Sequence, residues 1–435
     1  MPFFAMTSPE SGIVALVILL VLAIFWKLDL IATLLNLKSF PAEIPASIDG
    51  IWTTESYAKS RAYSTANAKF SIVESSFSFA TLLAFWFFGG FGWWDDLTRQ
   101  WLPDAPLLAG LVWLGGIGTA QYLLHLPLSY YLTFVLEESF GFNQTSTATF
   151  IGDQLKSLML AILIGGPLIS ALLWIFSHVD HAWLWAWLFF SAFQLLMMWL
   201  APAVILPLFH QFTPMPDGEL RQAIEAMAKR CDFPVAGLFI MDGSKRSSKA
   251  NAFFTGLGKN KKIALFDTLI DKHTTEELVA ILAHEIGHFR CRHIPQRLIA
   301  AILQSAVLFY LVGLCTNPQG VFSRLLFDAF DVRVISPHAG LLLFGILFSP
   351  VSRLLGILSN AWSRRHEFEA DAYAAQHCGS SEPLVTALKK LSTDNLAHPS
   401  PHWLRVILDY SHPPLIERLA ALHDVGKFDK HPSFP

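Results

Sequence analysis

Apolar residues gather along this chain into uncharged windows at 11–26, 75–94, 105–136, 157–179, 181–216, 298–323 and 334–352. Most of these windows reach the roughly 20 residues that a membrane-spanning helix needs. The first and last are short, but Lys27 can snorkel to the interface and residues 354–363 extend the last window past Arg353. Seven spans follow, five before a long polar segment and two after it. Within that segment, 217–231 has the spacing of an amphipathic helix, 236–241 reads as a short strand, and 251–269 as two strands joined by a Gly-Lys turn. A helix comes next: Thr274 and Glu277 form a capping box, and Leu278, Ile281, Leu282 and Ile286 make an apolar stripe running towards Pro295. No internal repeat or low-complexity tract interrupts this order. The expected organisation is five spans over 1–206, a soluble insert over 207–297, spans six and seven over 298–360, and a soluble tail over 361–435.

Composition agrees with a lipid environment, since only 15% of the 435 residues are charged against roughly 25% in a soluble protein. No Lys or Arg precedes Lys27, so the first span is expected to be a retained helix and not a cleaved signal. Lys38, Lys59, Arg61 and Lys69 follow span one, Arg99 stands alone after span two, and no cation separates span four from span five. This bias predicts an N-out, C-in orientation, with the insert and the tail in the cytosol. A net charge of −3 offers no basic footprint for nucleic acid, which is excluded as a partner. Cys231, Cys291, Cys315 and Cys378 form no CxxC pair and read as scattered reduced thiols.

The capped helix carries His284-Glu285-Ile286-Gly287-His288, an HExxH pattern. Helical i, i+4 spacing puts both imidazoles on one face, within reach of a single zinc ion, with Glu285 beside them to hold a water. A catalytic zinc wants a third protein ligand and one open position. A third histidine in the HExxHxxGxxH pattern would fall on Ile294, and His293 comes one residue early, so it reads as a solvated helix-end residue. A carboxylate is therefore expected. Directly after span seven, Glu367 and Asp371 share a helix face, while Glu369 lies about 200° around and reads as a solvated charge. Glu367 is the expected third ligand, and Asp371 is placed to accept the free ring N–H of a liganding histidine.

Several long segments resemble the CAAX prenyl protease 1 family of multi-spanning membrane zinc endopeptidases: SYYLTFVLEESFGFNQ (129–144), LPLFHQFTPMPDGELR (206–221), DGSKRSSKANAFFTGLGKNKKIALFDTL (242–269), the HEIGH helix, SRRHEFEADAYA (363–374) and YSHPPLIERLAAL (410–422). The resemblance implies a mainly α membrane protein in which seven transmembrane helices ring a large water-filled chamber, capped on the cytosolic side by an α+β zinc metalloprotease domain. It implies one Zn2+ per chain on His284, His288 and Glu367, with Glu285 as the catalytic glutamate. Asn251, Ala252 and Phe253 resemble the edge strand by which thermolysin-like proteases pair with substrate backbone. His412 and Arg418 fall on an HPPxxxR element whose side chains stabilise the developing oxyanion. Lys249 departs from the histidine common at that position, which puts the local substrate contacts in doubt. The implied partner is a peptide or protein substrate, prenylated or not, met by a monomer in contact with membrane lipid. No eukaryotic ER-retrieval tail is evident, which favours a bacterial inner membrane over the ER membrane. In a bacterial host, misfolded or stalled membrane proteins become the expected substrates.

Other classes fit less well. An intramembrane metalloprotease buries HExxH in an apolar span, whereas Glu276, Glu277, Arg290 and Arg292 flank the motif here. A four-span heat-shock protease would not have five spans before the motif. A multi-pass transporter or receptor with structural zinc would close the site with a fourth protein ligand, usually cysteine, in place of a neighbouring general base.

Overall fold

The structure is a computed structural model describing residues 8–44, 50–255 and 261–425. Among these, seven helices are long and apolar enough to cross a membrane: α1 (Pro9–Lys38), α2 (Thr54–Phe87), then after a short α3 (Gly90–Trp101), α4 (Pro106–Glu137), α5 (Thr147–His178) and α6 (Ala182–Phe209). The protease insert contributes β1 (Phe212–Pro214), α7 (Glu219–Arg230), β2 (Val235–Met241), β3 (Ala252–Thr255), β4 (Lys261–Phe266) and α8 (Thr275–Arg290). Then come α9 (His293–Cys315), α10 (Val321–Ala329), α11 (Pro337–Cys378), α12 (Glu382–Asp394), α13 (Trp403–Asp409) and α14 (Leu415–Val425).

Each spanning helix packs on the next in sequence, and the seventh returns to the first, closing a ring. The ring is loosely packed: at most 22% of the residues in any span's apolar window are buried, and none in the fifth. A close-packed bundle would bury a larger share. One end is sealed by an apolar plug from the ends of five spans together with α3 and α10, in which Trp86 stacks on Phe330 at 4.3 Å between ring centroids. The protease domain occupies the other end.

The helices differ from the hydropathy windows in ways that have physical causes. Span two begins at Thr54, far ahead of residue 75, because Thr53 and Ser56 cap each other reciprocally and start a helix in polar sequence. Its polar side chains have partners: Ser60 Oγ donates to the Ala397 carbonyl at 2.9 Å, Tyr63 Oη to Glu137 at 2.6 Å, and Ser78 meets His125 at 3.3 Å. The same helix stops at Phe87, since Gly89 takes a left-handed φ of 70° and turns the chain into α3. Span seven is the larger correction. The expected boundary at 360/361 falls inside α11, an unbroken 42-residue helix of about 63 Å at 1.5 Å per residue. It carries the tail's chemistry out of the membrane on the same helix. The 206/207 and 297/298 boundaries likewise fall inside α6 and α9.

The insert follows its expected elements closely. Its four strands lie in the order β1-β2-β4-β3, with β2 and β4 parallel and the outer pairs antiparallel, so β3 is an edge. The Gly-Lys turn between β3 and β4 lies outside the described residues. Ile224, Met227, Leu238, Ile263, Leu265, Leu278 and Leu282 form the core between sheet and helices. Thr274 caps α8 as expected, with Glu277 Oε2 accepting from the Thr274 amide at 3.0 Å.

Candidate active site

The site forms where α8 crosses α11. Small residues set the distance between the helices: a Cβ on Gly287 would lie 3.0 Å from the Ala370 Cα and 3.1 Å from the Tyr373 Cβ. Glycine at 287 therefore lets α8 approach closely enough for residues 284 and 288 to reach 367 and 371.

The distances at the crossing are those of a metal cradle. His284 Nε2 and His288 Nε2 are 3.2 Å apart, and the Glu367 carboxylate lies 3.4 Å from the first and 3.3 Å from the second. Tetrahedral bonds of 2.0–2.2 Å to nitrogen and oxygen place ligand atoms about 3.3–3.5 Å apart. Glu367 is 2% exposed, and its Oε2 is a buried oxygen without a hydrogen-bond partner among the described residues. Two imidazoles, one carboxylate and an orphaned buried oxygen fit a divalent ion, and among the described residues no fourth protein ligand completes the set.

Around the cradle, further contacts fix each imidazole. Asp371 Oδ1 lies 2.8 Å from His284 Nδ1, and Arg418 clamps Asp371 through Nε at 2.8 Å and Nη2 at 2.6 Å. Burial works against charge on His284, but Asp371 and Glu367 outweigh it and raise the metal-free imidazole to about 9. His412 reaches in from the tail, with Nε2 3.5 Å from Glu367 Oε1. Glu285 lines a cavity of about 240 Å3 together with His284, Glu367, His412, Arg418 and the start of β3 at Asn251 and Ala252. Burial pushes the Glu285 carboxyl above its usual range, towards the pH at which a general base works best.

Thus the expected residues converge, with qualifications. Arg418 lines the cavity, but two of its nitrogens are committed to Asp371. Phe253 continues the edge strand, its main chain paired with Ala264. Lys249 is tied to Tyr63 Oη at 2.8 Å and Glu137 Oε2 at 2.9 Å, joining the insert to spans two and three.

Two residues are corrected. His293 is not a solvated helix end: it is 1% exposed, because Arg292 at φ 58° reverses the chain and tucks α9 beneath α11. Its Nδ1 lies 2.9 Å from His288 Nδ1, its Nε2 lies 3.0 Å from Glu369 Oε2, and its ring stacks on His366 at 3.8 Å. Glu369 does point away from the cradle, but it is the end of this chain of contacts and not merely a solvated charge. The sequence signal for His293 was its five-residue spacing from His288; the chain reversal at Arg292 that makes it meaningful has no such signal.

Comparison with known proteins bears on this geometry. Residues 33–211 match the family profile described as CAAX prenyl protease N-terminal, five membrane helices, and residues 214–425 match peptidase family M48. The chain belongs to the M48 peptidase family. It is an integral-membrane metalloendopeptidase of the CAAX prenyl protease 1 type. It is similar to CAAX prenyl protease 1 of Saccharomyces cerevisiae, at 38% identity over 91% of each chain. It is similar to the Homo sapiens CAAX prenyl protease 1 homolog, at 33% identity over 87% of this chain and 88% of that one. The crystal structure of S. mikatae Ste24p superposes with a TM-score of 0.88 at 34% identity, covering 96% of this chain and 99% of that one.

Proposed function

We propose that this protease holds zinc on His284, His288 and Glu367 and cleaves an extended peptide segment laid along β3, with the C-terminal region of a prenylated, membrane-anchored protein as its substrate. The observation that carries the reading is that His284 and Glu367 of the cradle, Glu285, Ala252 at the start of the edge strand and Asn251 just before it share one cavity. Zinc, when bound there, supplies a Lewis acid that acidifies water and polarises a carbonyl. Glu285 takes the proton of the attacking water and returns it to the leaving amine. His412 at the cavity rim donates to the oxyanion as it develops, while Arg418 acts mainly by holding Asp371 against His284. The edge of β3 offers main-chain hydrogen bonds that orient the peptide with little demand on its sequence. The basic loops flanking the spans support an N-out, C-in orientation, in which the site faces the cytosol.

Cleavage of a farnesylated peptide beside its unprenylated twin, with Glu285→Gln as control, tests this. The farnesylated peptide should turn over faster. Equal turnover of the pair would remove prenylation from the substrate definition and favour processing of misfolded or stalled membrane proteins.

Two consequences concern the metal. A proton on metal-free His284 must be displaced, so zinc affinity should climb about tenfold per pH unit from 7 towards 9 and then level off. Chelator competition across that range measures it, and a flat profile would contradict the assignment. With His288 bound through Nε2, its Nδ1 proton points to His293, which then carries its own proton on Nε2 towards Glu369. His293→Leu should weaken zinc binding by about 10–100-fold, whereas His293→Gln, which keeps an acceptor, should restore much of it.

A further inference from the structure

A cavity of about 1340 Å3 that shares no lining residue with the protease site lies between spans two and three, on α2 and the C-terminal part of α4. The direction it faces follows from α2. At 100° per residue, Ser60, Tyr63, Asn67 and Ser78 fall on one side of this helix, and Ser60, Tyr63 and Ser78 make the inward contacts to the protease domain, span three and His125. Arg61, Thr65, Lys69 and Val73 fall on the opposite side and line the cavity, which therefore opens outward to the bilayer. Val73, Tyr131 and Val135 on its walls are 58%, 49% and 47% exposed. Arg61 and Lys69 stand two helical turns apart at its polar end, and neither has an ion-pair partner among the described residues. Glu43 lines the same end, its backbone carbonyl accepting from Tyr57 Oη, and its carboxylate forms no ion pair with either cation.

An apolar groove with unpaired cations where the hydrocarbon ends is complementary to an amphiphile with an anionic head. Its volume exceeds the roughly 300–1,000 Å3 of small-molecule pockets. We propose that this groove is a binding site for an anionic phospholipid, whose phosphate meets Arg61 and Lys69 and whose acyl chains run along Val73, Leu128 and Val135. Both cations lie in the first half of α2, within the stretch from Lys38 to Lys69 that carries the positive bias of the chain, the side on which membranes present anionic lipid.

Native mass spectrometry of the delipidated full-length chain, titrated with phosphatidylglycerol or phosphatidylcholine, tests the proposal. Each surface cation contributes about fivefold in affinity for anionic lipid, so one phosphatidylglycerol should bind roughly 30-fold more tightly than phosphatidylcholine. R61Q/K69Q should bring the two lipids to parity while leaving turnover of a detergent-soluble peptide unchanged. A66W, which fills the groove, should lower binding of both. Equal binding of both lipids to the unaltered chain, or a preference that survives R61Q/K69Q, would overturn the proposal. So would displacement of the bound phosphatidylglycerol by equimolar farnesyl-cysteine, which would give the groove to a prenyl chain.

Discussion

Glu285→Gln should retain zinc at full stoichiometry and lose about 10²–10⁴-fold in turnover, the range assigned to a positioned general base. The amide is nearly isosteric with the carboxylate and stands beside the cradle, not in it, so it leaves His284, His288 and Glu367 in place. What it removes is the acceptor that takes a proton from the attacking water. The native carboxyl is raised by burial, so it works as a base only above that raised value. The acid limb of kcat/KM should therefore lie above the ordinary glutamate range, and it should vanish in Glu285→Gln. Loss of zinc together with activity would mean that Glu285 supports the metal and does not carry the proton.

Asp371→Ala should be the most damaging change outside the zinc cradle and Glu285. Asp371 is 1% exposed and clamped by Arg418. Its removal frees the Nδ1 side of His284 and leaves a buried guanidinium without its partner. The first effect weakens zinc by about 10–100-fold, and the second costs about 3–5 kcal/mol of stability. Chelator competition reads the first and thermal unfolding in detergent the second. Asp371→Asn should fall between, since its carbonyl can still accept from His284. Unchanged zinc affinity in Asp371→Ala would show that the contact does not orient the imidazole.

The motif helix was legible because its signals are local: a capping box, an apolar stripe and two histidines one turn apart. Glu367 and Asp371 were legible from helical spacing alone, because α11 is one continuous helix and i, i+4 holds along it. The polar first half of span two was not, because hydropathy reads lipid-facing surface and the polar side chains here bond to the tail, to span three and to the insert. Tyr63, which meets Glu137 and Lys249 there, looks like loop sequence in a hydropathy plot. His293 escaped for another reason. Its burial depends on a left-handed turn at Arg292, a residue that rarely takes that conformation, so neither neighbours nor periodicity announced it. The outward groove depends on the helical phase of α2 over residues 54–74, which lie outside the apolar window at 75–94.

Zinc content of the purified wild-type chain and of Glu367→Ala, measured by inductively coupled plasma mass spectrometry, tests the cradle most directly. One ion per wild-type chain and almost none in Glu367→Ala is the expected result. Full occupancy in the variant would contradict it, because the two imidazoles would then hold the metal without the carboxylate that α11 brings to them.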